Sequence, residues 1–288
     1  MGPLFKQMTV IGVGLMGGSL ALVAKRKKIV GKVIGYDRRR WSLQKAAAIG
    51  VIDCYLLKLP KAVQDSDLIV LATPVGTFER ICQAIAPHLK EGAIVTDVGS
   101  VKGALVDKME ALMPDHASFV GGHPIAGLEK SGVEATKEDM FEGNLCIVTP
   151  TARTQTKALS KISAFWKKVG ARVVEMEPLR HDLVMAAVSH LPHLAAYAMV
   201  EALNHPRIAS LNPVQFSGGG LRDFTRIAES STEMWRDIFL INRDKLLEMI
   251  DIYQETLEKI KKEMIAKDGV GLLEILSRAK TVRQKSIF

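Results

Sequence analysis

The residues of this 288-residue chain that could do chemistry cluster in four segments. Three gather polar groups at predicted strand ends or in glycine-rich loops: Asp97-Val98-Gly99-Ser100-Val101-Lys102, Gly121-Gly122-His123-Pro124-Ile125-Ala126-Gly127, and Gly218-Gly219-Gly220 running on to Arg222 and Arg226. A histidine with a pKa near its ordinary value of about 6.5 is neutral enough at physiological pH to take a proton. Most lone histidines are structural. His123 stands apart because the strands before it are predicted to end on one edge of a sheet, where a general base for an alcohol would sit. Ser100 could hydrogen-bond that imidazole, and its simpler role is to cap a helix starting near Val101.

The fourth segment is Gly12-Val13-Gly14-Leu15-Met16-Gly17, which follows the apolar run Met8 to Ile11 and opens a helical stretch. Gly-x-Gly-x-x-Gly is weak evidence in isolation. Here it lies between a strand and a helix, and an acidic residue, Asp37, ends the next strand-like run about 20 residues later, as dinucleotide binding requires. Gly12 would allow the tight turn, Gly14 the approach of backbone to a pyrophosphate, and Gly17 close packing of helix on strand. Free N–H groups of Leu15 and Met16 at the helix start would face the phosphates. Asp37 should accept hydrogen bonds from the adenosine ribose and repel a 2′-phosphate, so NAD is expected. Arg38, Arg39 and Arg40 keep NADP as the alternative, by binding that phosphate. Thr73 and Pro74, closing the strand-like Leu68 to Ala72, are expected on the same ligand-binding edge.

Strands alternating with helices up to residue 177 predict an α/β fold: a Rossmann-type, doubly wound, mostly parallel sheet over 1–177. An all-helical domain follows over 178–288. Within it Leu246, Ile250, Tyr253, Leu257, Ile260 and Met264 recur at steps of four and three, a seam expected to pack against a second subunit in a homodimer. The net charge of +8 favours anionic partners. No stacking signature or nucleic-acid module accompanies it, so nucleic acid is not expected. Leu183 to Leu203 is interrupted by Ser189, His190, Pro192, His193 and Glu201 and reads as a buried helix, with no membrane role expected. Cys54, Cys82 and Cys146 are widely spaced, as for reduced buried thiols in the cytoplasm. His190 and His193 flank a proline, but no third ligand stands near them and no metal is expected. His88, His116, His181 and His205 receive no role.

Taken together, GVGLMGGS, DVGSVKG, GGHPIAG, the run Ser189 to His193, and GGGLRDFTRIA followed by Met234-Trp235-Arg236-Asp237 resemble the prephenate and arogenate dehydrogenase family of tyrosine biosynthesis. The resemblance covers nearly the whole chain. It implies oxidative decarboxylation of prephenate, arogenate or both, with hydride transfer to NAD(P). It also implies that His123 is the catalytic base, that Ser100 contacts both His123 and the substrate hydroxyl, and that Arg226 binds a substrate carboxylate. His193, Ser189, Gly219 and Trp235 match positions lining the substrate pocket. Arg222 is expected to be structural. Two other readings stand beside this one. A β-hydroxyacid dehydrogenase-like reductase shares the two-part architecture, but its early-helix lysine is missing from His181 to Leu203. A non-catalytic dinucleotide-binding sensor would have no need of the base and its partners.

Overall fold

Near-continuous apolar runs make the framework. Leu68-Ile69-Val70-Leu71 is buried throughout, as a strand covered by helices on both faces must be. The computed structural model describes residues 2–285 except Glu129 and Ser131. Among the described residues β1 (Phe5–Ile11), β2 (Val30–Tyr36), β3 (Cys54–Tyr55), β4 (Leu68–Leu71), β5 (Ile94–Asp97), β6 (Ser118–Pro124), β7 (Leu145–Thr149) and β8 (Arg172–Glu175) form one sheet. Its order is β3-β2-β1-β4-β5-β6-β7-β8. Neighbours are parallel except β6 and β7, which run antiparallel. The winding reverses direction between β1 and β4, so the crevice beyond their carboxyl ends is where this topology binds ligands.

Helices α1 (Leu15–Arg26), α2 (Arg40–Ala48), α3 (Leu59–Val63), α4 (Phe78–Ile85), α5 (Gly103–Leu112) and α6 (Thr156–Val169) cover the sheet. Side chains alternate along each strand and divide the core in two. Met8, Val10, Leu68 and Val70 pack with α1, α2 and α6, where Phe165 and Trp166 are buried. Ile11, Ile69, Leu71 and Val95 pack with α4 and α5. Cys82 and Cys146 are buried, and burial raises both thiol pKa values, Cys82 to about 12. Such thiols stay protonated and inert.

After β8 the chain is helical: α7 (Pro178–Met185), α8 (Leu191–Leu203), α9 (Pro206–Ala209), α10 (Gly219–Thr225), α11 (Thr232–Ile241), α12 (Arg243–Ala266) and α13 (Gly269–Lys285). A π-helical turn, Ala186–His190, joins α7 to α8. Its cause is Pro192, which has no N–H for the carbonyl four residues earlier and whose ring crowds that carbonyl. By length and composition alone Pro178–Leu203 could cross a membrane (26 residues, hydropathy 1.5). Only 22% of its apolar 18-residue window is buried, so the expectation of a buried helix over Leu183–Leu203 is not met: in α8 Ala196 is the buried residue, and burial is concentrated at His181, Asp182, Met185, Ala186 and His190 in the preceding turns.

By contacts the chain divides into two compact units, residues 1–243 and 244–288. The first holds the sheet and the helices through α11, and Trp235 and Ile238 of α11 join the α4–α5 core. In the second, α12 ends at Ala266, Lys267 after it takes a left-handed conformation (φ 54°), and Asp268 caps α13 by accepting from the Val270 and Gly271 amides, both at 3.0 Å. All six seam residues lie on α12. Leu246 is buried, whereas Tyr253, Leu257 and Met264 are exposed.

Candidate active site

The glycine-rich turn has the geometry that a dinucleotide needs. Gly12 has a φ of +97°, and a Cβ there would stand 2.5 Å from the Ala72 carbonyl oxygen. A Cβ on Gly17 would strike the Gly12 carbonyl and lie 2.8 Å from the Ala72 side chain. Gly14 differs: a Cβ there would meet nothing within 4 Å. Gly14 is the N-cap of α1, no side chain caps that helix, and its first turn carries no acid. The cradle is therefore tight on the protein side and open in front, with uncompensated N–H groups facing out, which fits a pyrophosphate. Asp37, just past β2, accepts from the Val13 amide at 3.2 Å and the Arg39 amide at 2.9 Å, which ties it to the glycine turn. The Arg39 guanidinium stands 5.7 Å from the Trp41 ring centre, and Arg38 is exposed. Thr73 hydrogen-bonds Thr77 at 2.7 Å in the turn beyond β4, against which α11 packs.

His123 lies near the carboxyl end of β6, paired with Ile147 of β7, and is buried. Its Nδ1 is 2.8 Å from His181 Nε2, and His181 Nδ1 is 2.8 Å from Asp182 Oδ1. An ionised carboxylate accepts only, so His181 carries its proton on Nδ1 and its Nε2 accepts. His123 must then donate from Nδ1, which leaves Nε2 as the nitrogen with a lone pair. Burial, reinforced by His181, Lys102 and His190, holds the His123 pKa well below the ordinary 6.5, so the base is neutral throughout the physiological range.

This arrangement adds one residue to the site and corrects one expectation. The partner at His123 Nδ1 is His181, a residue given no role from sequence. Ser100 is half-buried, with its backbone beside His190. It does not cap a helix from Val101: α5 starts at Gly103, and its N-terminus is capped by the Asp182 carboxylate, which accepts from the Lys102 and Gly103 amides, each at 2.8 Å. The Lys102 ammonium folds back onto the Asp97 carboxylate and donates to the Gly99 carbonyl at 2.7 Å. Asp97 in turn accepts from the Gly99 amide at 2.8 Å and the Gly122 amide at 3.0 Å, which fixes the strand immediately before His123.

The π turn presents the remaining histidines. His193 stacks on Trp235 with ring centres 3.8 Å apart and planes inclined 25°, and its Nδ1 donates to the Ser189 carbonyl at 2.9 Å. His190 is buried, with Nδ1 accepting from the Asn242 side-chain amide at 3.0 Å, and the same amide donates to the Asp182 carbonyl at 2.9 Å. Burial lowers the His190 pKa to about 4. Trp235 Nε1 is buried without a hydrogen-bond partner, while His190 lies against the Ser100 backbone. Gly219 opens α10 and is exposed. Arg222 of the same helix donates to the Ser217 carbonyl at 3.2 Å, consistent with a structural role. Arg226 is exposed and begins a 3-10 turn, Arg226–Glu229, that packs against α8, the helix bearing His193. Sequence reasoning missed His181, Asp182 and Asn242. The available signal was the adjacent His-Asp pair directly after the capped helix start Glu177-Pro178.

Residues 20–175 match the family described as "Prephenate dehydrogenase, nucleotide-binding domain", and residues 177–278 match "Prephenate dehydrogenase, dimerization domain". The chain is 37% identical to the prephenate dehydrogenase of Bacillus subtilis, over 94% of this chain and 74% of that protein. It is 33% identical to the cyclohexadienyl dehydrogenase of Zymomonas mobilis, over 97% and 95%. The crystal structure of a prephenate dehydrogenase from Aquifex aeolicus in complex with hydroxyphenyl propionate and NAD+ superimposes with a TM-score of 0.90 at 39% identity, covering 97% of this chain and 98% of that one.

Proposed function

The chain belongs to the prephenate dehydrogenase family, and from that premise we propose that it converts prephenate, arogenate or both by oxidative decarboxylation, with His123 as general base and NAD as hydride acceptor. The observation that carries this reading is the His123–His181 hydrogen bond, because it commits His123 Nδ1 as a donor and leaves Nε2 bare to receive a proton.

The substrate class is a cyclohexadiene with a ring carboxylate and a hydroxyl on the opposite ring carbon. His123 Nε2 takes the hydroxyl proton, the carbinol carbon becomes a carbonyl-like centre as its hydride departs, and the ring turns aromatic when the carboxylate leaves as carbon dioxide. The bound nicotinamide supplies the hydride acceptor. Gly12, Val13, Gly14, Leu15, Met16 and Gly17 hold the pyrophosphate on backbone N–H groups, and Asp37 holds the adenosine ribose, with Thr73 and Pro74 on the facing edge. Arg226, permanently charged and forked, suits the ring carboxylate while its bond to the ring breaks. Ser100 stands at the substrate hydroxyl. Ser189, His193, Gly219 and Trp235 line the pocket, where the stack of half-buried His193 on buried Trp235 gives the substrate ring a rigid wall.

This reading carries with it a homodimer formed through the helical domain from residue 178 onward, and a cytoplasmic location. The test offers purified protein prephenate and arogenate, each with NAD and with NADP, and compares the four kcat/KM values. Turnover with at least one substrate and a preference for NAD are expected. No turnover with either substrate would overturn the proposal, and a preference for NADP would show that Arg38 to Arg40 outweigh Asp37.

A further inference from the structure

The base does not stand alone: a buried line of hydrogen bonds runs from it to the start of another helix. His123 donates to His181, His181 donates to Asp182, and Asp182 is held by the Lys102 and Gly103 amides at the N-terminus of α5. His181 is fully buried, and Asp182 is 4% exposed. The groups facing His123 from the elements around it are Asp97 at the end of β5, Lys102 of the loop after it, Cys146 of β7, His181 and Asp182 of α7, and His190 of the π turn. Asp97 is already committed to Lys102 and two amides. Among the described residues Asp182 is the one carboxylate in hydrogen-bonded line with the imidazole.

The geometry points to His181 and Asp182 as positioning residues of the reaction: through two hydrogen bonds they fix the His123 tautomer with Nε2 unprotonated, and they stabilise the imidazolium formed when Nε2 takes the substrate proton. The inference rests on His123 being the base. No proton need reach Asp182. When Nε2 is protonated, His123 bears a positive charge and keeps Nδ1–H on His181 Nε2. The Asp182 negative charge, one imidazole away, offsets that charge where water cannot. Asp182 does not drift toward His123, because the α5 N-terminus holds both of its oxygens.

The substitution Asp182→Asn makes the logic visible. Oδ1 of Asp182 accepts from both the Lys102 amide and His181 Nδ1, and Oδ2 accepts from the Gly103 amide, so an asparagine has one oxygen for two places. With its NH2 in the Oδ2 place it faces the Gly103 N–H and the histidine tautomers are kept; in the Oδ1 place it faces the Lys102 N–H and His181 Nδ1, which must then accept. In either orientation the negative charge that offsets the imidazolium is gone. In the second, His123 is also driven to carry its proton on Nε2, an inversion that costs about 10⁴ in kcat in the serine proteases. For this enzyme we expect a fall in kcat of about 10² to 10⁴ with KM nearly unchanged. Gly103→Ala reaches the same carboxylate without touching an ionisable group, because the new Cβ would lie 2.5 Å from Asp182 Oδ2.

The experiment records the ring-nitrogen NMR spectrum of the whole protein labelled with 15N-histidine, with His123 assigned through His123→Asn, and measures kcat and KM for the same set of proteins. Wild type should show His123 protonated at Nδ1, and Asp182→Asn should lower kcat with KM nearly unchanged. In a His123→Asn background, Asp182→Asn should cost less than about a further threefold, since its target is already gone. A wild-type His123 protonated at Nε2 would overturn the inference, as would full additivity of the two substitutions. Should Asp182→Asn fail to fold, the wild-type tautomer and Gly103→Ala decide, and a Gly103→Ala enzyme with unchanged kcat would overturn it. Because the tautomer is read without substrate, an inactive wild type would count against the proposed function alone.

Discussion

Of the helix N-termini at the ligand-binding edge of this sheet, those of α1 and α5 are finished in opposite ways. That of α1 is open: Gly14 caps it without a side chain, and no acid stands in its first turn. That of α5 is plugged by the carboxylate of Asp182, brought from a helix about 80 residues later in the chain. Both ends offer the same partial positive charge and the same unsatisfied N–H groups. The open end is suited to an anion that comes and goes. The plugged end holds an anion permanently, and that anion orients the histidine pair in front of it. One backbone device thus serves binding at one site and catalytic support at the other, and the difference lies in whether the protein supplies the negative charge.

The largest expected effect comes from breaking the buried ion pair beside the plugged end. Lys102 is both the N-cap of α5 and the buried partner of Asp97. Lys102→Met would leave Asp97 uncompensated in the core and should destabilise the fold by about 3–5 kcal/mol, read by urea unfolding. A loss under 1 kcal/mol would show that the loop does not depend on the pair.

The next effect concerns protons near the plug. The His190 pKa is lowered from 6.5 to about 4. The unfolded chain therefore binds a proton at this site that the folded chain refuses as pH falls from 6.5 to 4. Stability at this site is intact above 6.5 and falls below it, by about 3 kcal/mol across the window. His123 and His181, also lowered, act in the same direction. Thermal melts between pH 7.5 and 4.5 should show the decline, and His190→Gln should flatten it. Equal slopes for the two proteins would remove His190 from the account.

The open end gives the smaller but more pointed effect, because one substitution should move stability and binding in opposite directions. Gly14→Asp would place a carboxylate at the N-cap of α1, where nothing within 4 Å obstructs a Cβ. It should stabilise the ligand-free protein by a few tenths of a kcal/mol and weaken NAD binding by about 2 kcal/mol. Calorimetry on one sample reads both, and unchanged NAD affinity would contradict the assignment of this turn to the phosphates.

The same contrast explains what could be read from the sequence. The open end is a local construction: strand, Gly12 to Gly17, helix and Asp37 all lie within 33 residues of β1's first residue, so spacing alone exposes it. The sheet was legible for the same reason, down to β7 and β8. The plugged end is nonlocal. Its cap spans 80 residues and its histidine pair 58. A local rule therefore handed the cap to Ser100 and started α5 two residues early, and it left His181 idle because nothing near it in the chain asks for an imidazole. Arg226, His193 and Trp235 were legible through family resemblance, since their neighbours in sequence do not reveal a pocket.

The most direct measurement on the account as a whole is the pH profile of kcat for His123→Asn beside that of the wild type, with prephenate and NAD. Asparagine keeps a polar group of similar size but no basic nitrogen, so both ligands should still bind while kcat falls by about 10² to 10⁴. The wild type should stay active into mildly acidic solution, with an acid limb below pH 6.5 because the His123 pKa is depressed, and the variant should lack that limb. A variant with near-wild-type kcat, or one that keeps the same acid limb, would contradict the central claim that His123 takes the hydroxyl proton.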